Sequence, residues 1–188
     1  MGVALARSAQ ERGAKVFLVA GKLAVDTPAG VELYHAETAE KMHATCQKLT
    51  RELKPDVFLG VAAVGDWTPA HPSAVKVPTS LGKWVLELVP TRKIIDEVKN
   101  WSPETFLCAF RAQVGLDDAQ MAENAQERLV QARADLIAAN DTARPGVGFE
   151  SPTNAFLVWG PQGKVAELAL ETKELLAEKL LDIIRERL

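Results

Sequence analysis

The chain has 188 residues, of which 47% are hydrophobic and 25% charged, and a formal net charge of −3. That balance suits one compact domain with a sizeable core, and mild acidity without a Lys/Arg cluster excludes the electrostatic footprint of a nucleic-acid binder. No apolar run approaches the roughly 18 residues of a membrane span and no signal-peptide pattern is present, so a cytoplasmic protein with no membrane partner is expected.

Gly2–Arg12 sets Leu5, Ala6 and Ala9 on one face and is stopped by Gly13, as a helix would be. Val16–Ala20 is an all-apolar strand, Gly21–Gly30 a loop and Val31–Ala36 a weaker strand. Thr38 then caps a helix whose Met42, Cys46, Leu49 and Leu53 fall at spacings of three and four. Val57–Ala63 is an unalternating apolar run, the pattern of a strand covered on both faces at the centre of a parallel sheet. Trp67–Pro78 has three prolines and no period and reads as irregular loop, while Lys83–Val89 alternates and pairs with Ala74–Val77 around Gly82. Thr91 caps a short helix through Val98.

Thr105–Phe110 is another buried strand, and Leu116–Arg133 a helix with Met121, Ala125, Leu129 and Ala132 inward. Asp135–Ala139 is a strand that ends in Asn140-Asp141. A hairpin, Ala155–Trp159 with Val165–Leu170, precedes a last helix over Lys173–Arg187 with Leu176, Leu180 and Ile183 as its stripe. Helices alternating with apolar strands give an α/β, Rossmann-like, doubly wound, mainly parallel sheet with an antiparallel flap at about 70–90 and a C-terminal hairpin. No repeat or linker divides residues 1–188, which read as a single domain. Cys46 and Cys108 lack neighbours at metal-ligand spacing and read as buried, reduced thiols.

In parallel sheets ligands lie beyond the carboxyl ends of the strands. Three such ends converge here, at Ala63, Phe110 and Ala139, and bring Asp66, Arg111, Gln113, Asn140 and Asp141 to one rim. Asp66 is either an acid that caps the next turn or a ligand-binding group. The small residues Gly60, Ala62 and Ala63 would let a nucleotide approach the backbone, and Lys76, Arg92, Lys93 and Arg128 are either solvated surface charges or phosphate ligands. No GxGxxG, Walker A or GxSxG motif occurs, and His35, His43 and His71 form no metal pattern. His43 reads as a half-buried structural residue.

The segments DVFLGVAAVGDWTP, LELVPTRKII, FLCAF, ADLIAAND and SPTNAFLVW, in that order, resemble phosphopantothenoylcysteine synthetase, the phosphopantothenate–cysteine ligase of coenzyme A biosynthesis. The resemblance implies a two-step reaction. The carboxylate of 4′-phosphopantothenate attacks the α-phosphate of CTP, or of ATP in some relatives, and cysteine's amine then displaces the nucleotide. It further implies Mg²⁺ with the nucleotide, no flavin in this portion, a homodimer, and fusion to or association with a flavin-dependent decarboxylase. By motif, Gly60, Val61, Ala62 and Asp66 would hold base and ribose, and Thr91, Arg92, Lys93, Ile94, Phe110 and Arg128 the rest of the nucleotide. Arg111 and Asn140 would meet the other substrate, and Lys76 and Asp66 would act in catalysis. No metal ligand is identified.

This chain departs from the family pattern in four places. A flap lysine of relatives falls at Ala74, with Lys76 the nearest cation, and a helix lysine falls at Ala132, beside Arg133. Phe-Ala-Ala-Glu of relatives is Phe110-Arg111-Ala112-Gln113. Relatives also begin with a strand and a Gly-Gly-Thr loop ahead of the Met-Gly that matches Met1-Gly2, so a longer native chain is expected. Three readings follow: the ligase, a catalytically weak relative that only binds nucleotide or phosphopantothenate, and a generic NAD(P)-binding Rossmann protein.

Overall fold

The computed structural model describes residues 1–188, apart from the side chain of Asp118. Helix α1 (Gly2–Glu11) leads through Gly13, in the left-handed region at φ 86°, to β1 (Phe17–Ala20). β2 (Glu32–His35) pairs with β1 in parallel, Phe17 opposite Glu32. α2 (Ala39–Leu53) opens on Thr38, whose hydroxyl accepts from Lys41 N at 3.1 Å, and closes on Lys54. β3 (Val57–Gly60) follows, then a flap whose stem pairs β4 (Trp67–Pro69) antiparallel with β5 (Leu88–Pro90).

α3 (Ile94–Trp101), β6 (Phe106–Gln113), α4 (Asp118–Ala132) and β7 (Leu136–Asp141) complete the alternating part. α4 begins with a capping box between Asp117 and Gln120, which satisfies two backbone donors reciprocally. β8 (Thr153–Gly160) and β9 (Gly163–Thr172) form the terminal hairpin before α5 (Lys173–Arg185).

The main sheet has the order β3-β6-β7-β8-β9, with β3, β6 and β7 parallel and the hairpin antiparallel at the far side. Period-two alternation sends β6 and β7 into two separate cores. Leu107, Ala109 and Ile137 pack with Val98 of α3 and Met121, Ala125 and Leu129 of α4. Cys108, Leu136 and Ala138 pack on the opposite face with Leu5 of α1 and Leu176 and Leu180 of α5. Full burial of each such large side chain contributes about 1.5–3 kcal/mol, so these two strands hold the fold together. The doubly wound architecture read from the pattern is the one observed.

Several local expectations fail for physical reasons. β3 is not central. It bonds only to β6, its residues are half-buried, and no main-chain hydrogen bond among the described residues joins it to β1. The strand stops at Gly60 rather than Ala63, because Val61 N and Val64 N turn back to Leu59 O and Ala62 O. In the flap, Ala74–Val77 is not a strand: the ladder uses Trp67–Pro69, inside the stretch expected to be loop, and a short 3-10 turn (Thr79–Leu81) lies between the arms.

Thr91 does not cap α3. Lys93 occupies that position, and Thr91 ties the flap stem to the loop after β3 through Gly65 O and Asp66 O. On α2 the buried stripe runs through Met42, His43, Cys46 and Thr50, leaving Leu53 exposed. His43 is more enclosed than expected, with Nε2 3.0 Å from Glu97 and its ring edge-on to Trp101. On α5 Ile184, not Ile183, completes the stripe.

Candidate functional site

A groove of about 1950 Å³ runs along the open edge of β3, between α1, β1 and the end of α5, and reaches the carboxyl ends of β3, β6 and β7. One half is apolar, between α1, β1 and β3, and the other carries the polar rim. Gly60, Val61, Ala62, Asp66, Thr91, Arg92, Lys93, Ile94, Phe110, Arg111, Arg128 and Asn140 all border it. Lys76 does not. It lies in the exposed part of the flap, and the fold does not bring it to the other expected site residues.

The backbone builds the β3 side. A Cβ at Gly60 would lie 2.6 Å from Ile95 Cγ2 and 3.8 Å from Ala109 Cα. Close packing of α3 on β3 therefore demands glycine at this position by itself. Beyond it Val61 and Ala62 turn away from the ladder and leave main-chain groups on the cavity wall.

Asp66 pairs with Lys93 across the mouth of the flap. The Lys93 ammonium holds its carboxyl below the usual carboxylate range, and the guanidinium groups of Arg111 and Arg128 add to the pull. These cations make the rim attractive to an anion. They are not equally available. Arg128 is largely buried, with one guanidinium nitrogen on Asp96 and another 3.1 Å from Gln131 Oε1. Ile94 points its side chain into the core, so only its backbone can meet a ligand. Arg92 and Arg111 are exposed on the rim.

On the β7 side Asp141 accepts from Gly115 N and Ala143 N, each at 3.0 Å, and those two bonds hold its carboxyl below the usual range. It thereby pins the loops that follow β6 and β7. Gln113 turns inward instead of joining the rim, and neither of its amide atoms has a partner among the described residues. Phe110 and Phe156 meet edge to face at 5.5 Å, and Asn140 donates to Asn154 at 3.2 Å. Phe156 and Asn154 both border the cavity and were not singled out from the sequence. The one cue was an asparagine at the head of an apolar strand, where that residue type is depleted. Cys46 and Cys108 are buried and free, as expected, and burial pushes their thiols up to about 11 and about 12.

The fold and this rim define the class: a doubly wound, mainly parallel α/β domain with its ligand cavity at the carboxyl ends of the strands. Residues 1–188 match the family model for the DNA/pantothenate metabolism flavoprotein C-terminal domain, and the chain belongs to that family. It is 36% identical, over 100% of its length, to the coenzyme A biosynthesis bifunctional protein CoaBC of Thermococcus kodakarensis, and covers 45% of that protein. The chain thus spans about half the length of the curated relatives it matches. A crystal structure of the C-terminal domain of a CoaBC superposes with a TM-score of 0.78 at 28% identity, covering 99% of this chain and 82% of the other. A Cab2 mutant in complex with phosphopantothenate-cysteine shares the fold at TM-score 0.60 and 15% identity, over 84% of this chain and 53% of its own. Among the described residues no helix is long and apolar enough to cross a membrane.

Proposed function

We propose that this chain is a phosphopantothenate–cysteine ligase. In the first step a carboxylate oxygen of 4′-phosphopantothenate bonds to the α-phosphorus of CTP (or ATP) and pyrophosphate leaves. In the second, cysteine's amine bonds to the acyl carbon, the nucleoside monophosphate leaves, and the amine gives up a proton. The observation that carries this reading is the meeting of Gly60–Ala62, Asp66, Thr91–Lys93, Arg111 and Asn140, far apart in sequence, on the wall of one cavity. The whole-chain family match supports it, as does the ligand of the Cab2 neighbour.

In this reading the chain's work is positioning and charge neutralisation. Main-chain groups at Val61 and Ala62 take the base, and Asp66 the ribose. Arg92, Lys93 and Arg111 face the phosphates, beside the N-terminus of α3, which favours negative charge. Lys76 reaches them only if the flap folds inward. Asp66 already pairs with Lys93 and takes the ribose, so Mg²⁺ would be held chiefly by the substrate phosphates, whose charge it would neutralise. The exposed apolar side chains of the flap, among them Trp67, Trp84 and Leu86, suit a second copy of the chain. A flavin-dependent decarboxylase, fused or associated, and a cytoplasmic setting complete the proposal.

Pyrophosphate release tests the function. Sustained release with CTP or ATP, Mg²⁺, phosphopantothenate and cysteine, and none when phosphopantothenate is omitted, is the expected result. One observation favours the binding-only reading: Ala132, where relatives carry a lysine, is fully buried and offers the cavity no cation. Nucleotide binding without turnover would decide for it. Binding of NAD(P)H alone would decide for the generic Rossmann reading, which the family match disfavours.

A further inference from the structure

The cations around the start of α3 are not alike. Lys93 is paired with Asp66, Arg92 and Arg111 are exposed, and the Arg128 side chain is enclosed at 12% exposure. The Arg128 guanidinium is engaged at both terminal nitrogens. One donates to Asp96 Oδ1 of α3, and the other to Gln131 Oε1, one turn on in α4, at 3.1 Å. The planar fork is thus fixed on its own helix and directed at the neighbouring one. Arg128 and Gln131 border the cavity and Asp96 is set back from it, so the arginine stands between that carboxylate and the ligand space.

Asp96 lies in the first turn of α3, directly after Thr91–Ile94, which border the cavity. The same turn carries Glu97, whose Oε1 is 3.0 Å from His43 Nε2 on α2. Acids in a first turn stabilise the helix, but they occupy the favourable potential of its dipole that a ligand anion would otherwise meet. A cation held on Asp96 cancels that opposing charge. It also ties α3 to α4, which keeps Thr91–Ile94 in place on the cavity wall. A phosphate that took the guanidinium would have to take it from Asp96, and would leave an unpaired carboxylate beside the incoming anion.

We infer that Arg128 is a positioning residue for the nucleotide: it binds no phosphate itself, but cancels the charge of Asp96 and fixes the start of α3 for the groups that do. This deepens the reading of the cavity as a nucleotide site and rests on it.

Calorimetric titration of the full chain with CTP and with ATP, each with Mg²⁺, tests the assignment. Arg128→Met should weaken binding of whichever nucleotide the unaltered chain takes by at least about fivefold, the effect of one uncompensated charge close to the phosphates. Combining it with Asp96→Asn, which removes that charge, should recover most of the loss. A merely structural arginine would give no such recovery in the affinity of the folded chain. Unchanged affinity in Arg128→Met overturns the inference. So does a loss that persists in full in the double variant, which would make Arg128 a direct ligand and leave the ligase reading standing. If Arg128→Met does not fold, the guanidinium proton resonances of Arg128 in the unaltered chain, identified through Arg128→Lys, decide the matter. Saturation with nucleotide should leave them where Asp96 and Gln131 hold them, and their displacement overturns the inference. Failure of both nucleotides to bind the unaltered chain overturns the nucleotide reading, and this inference with it.

Discussion

Gly60→Ala puts the packing of the site to a quantitative test. The backbone at Gly60 is not in the left-handed region, so alanine meets no conformational penalty there, and the effect is steric alone. Its Cβ would sit 2.6 Å from Ile95 Cγ2, more than 1 Å inside ordinary carbon–carbon contact. Ile95 is β-branched and stiff at χ1, and it stands on α3, whose neighbours Ile94 and Val98 are buried. Helix or strand must therefore shift. Overpacking of this kind costs about 1–3 kcal/mol. The gain from restricting the unfolded chain, about 0.4–1 kcal/mol for a compatible Gly→Ala change, leaves a net loss of about 1.5 kcal/mol. For a domain of this size that lowers Tm by about 3–6 °C. Thermal unfolding of Gly60→Ala, Ile95→Ala and the double variant measures it. With Cγ2 removed, adding the Cβ should cost almost nothing, a coupling of about 1 kcal/mol or more. A Gly60→Ala variant as stable as the natural chain, or additive effects in the double variant, would refute the steric account of this position.

Two further outcomes follow from the titratable groups. Cys46 and Cys108, with thiols pushed up to about 11 and about 12 by burial, should not react with a thiol reagent at pH 8 in the native chain, while both react in denaturant. Rapid native labelling of either would contradict their enclosure. Asp141, its carboxyl held low chiefly by Gly115 N and Ala143 N, contributes stability that is complete above the ordinary carboxylate range near pH 4 and is lost as pH falls through its own lower value. The Tm difference between the natural chain and Asp141→Asn should therefore be full at neutral pH and shrink in acid. A difference constant from pH 7 to pH 3 would show that the charge plays no part.

What could be read from the sequence followed the local physics of each segment. Strands buried on both faces leave an unbroken apolar run, as Leu136–Ala139 does in β7, and helices such as α4 leave a clear stripe at Met121, Ala125, Leu129 and Ala132. The rim was legible too, because strand ends are where parallel sheets place ligands. The flap was not. Its side chains are exposed on both arms, so period-two alternation at Trp84, Leu86 and Leu88 carried no burial signal, and the pairing fell instead on Trp67–Pro69. The purpose of Gly60 was hidden because its partner, Ile95, lies on another element. Asn154 gained meaning only when the antiparallel hairpin brought it beside Asn140, 14 residues earlier in the chain.

The break in the ladder between β1 and β3 shapes how the molecule comes apart. Among the described residues, β1 and β2 share no main-chain hydrogen bond with the five-stranded sheet. Their lobe is held by side chains, such as His43 of α2 against Glu97 and Trp101 of α3. Releasing it breaks no inter-strand bond of the large sheet, whereas releasing β6 or β7 disrupts both cores at once. The lobe is thus a cooperative unit of lower opening free energy than the rest, and its amides should exchange with solvent ahead of those in β6 and β7.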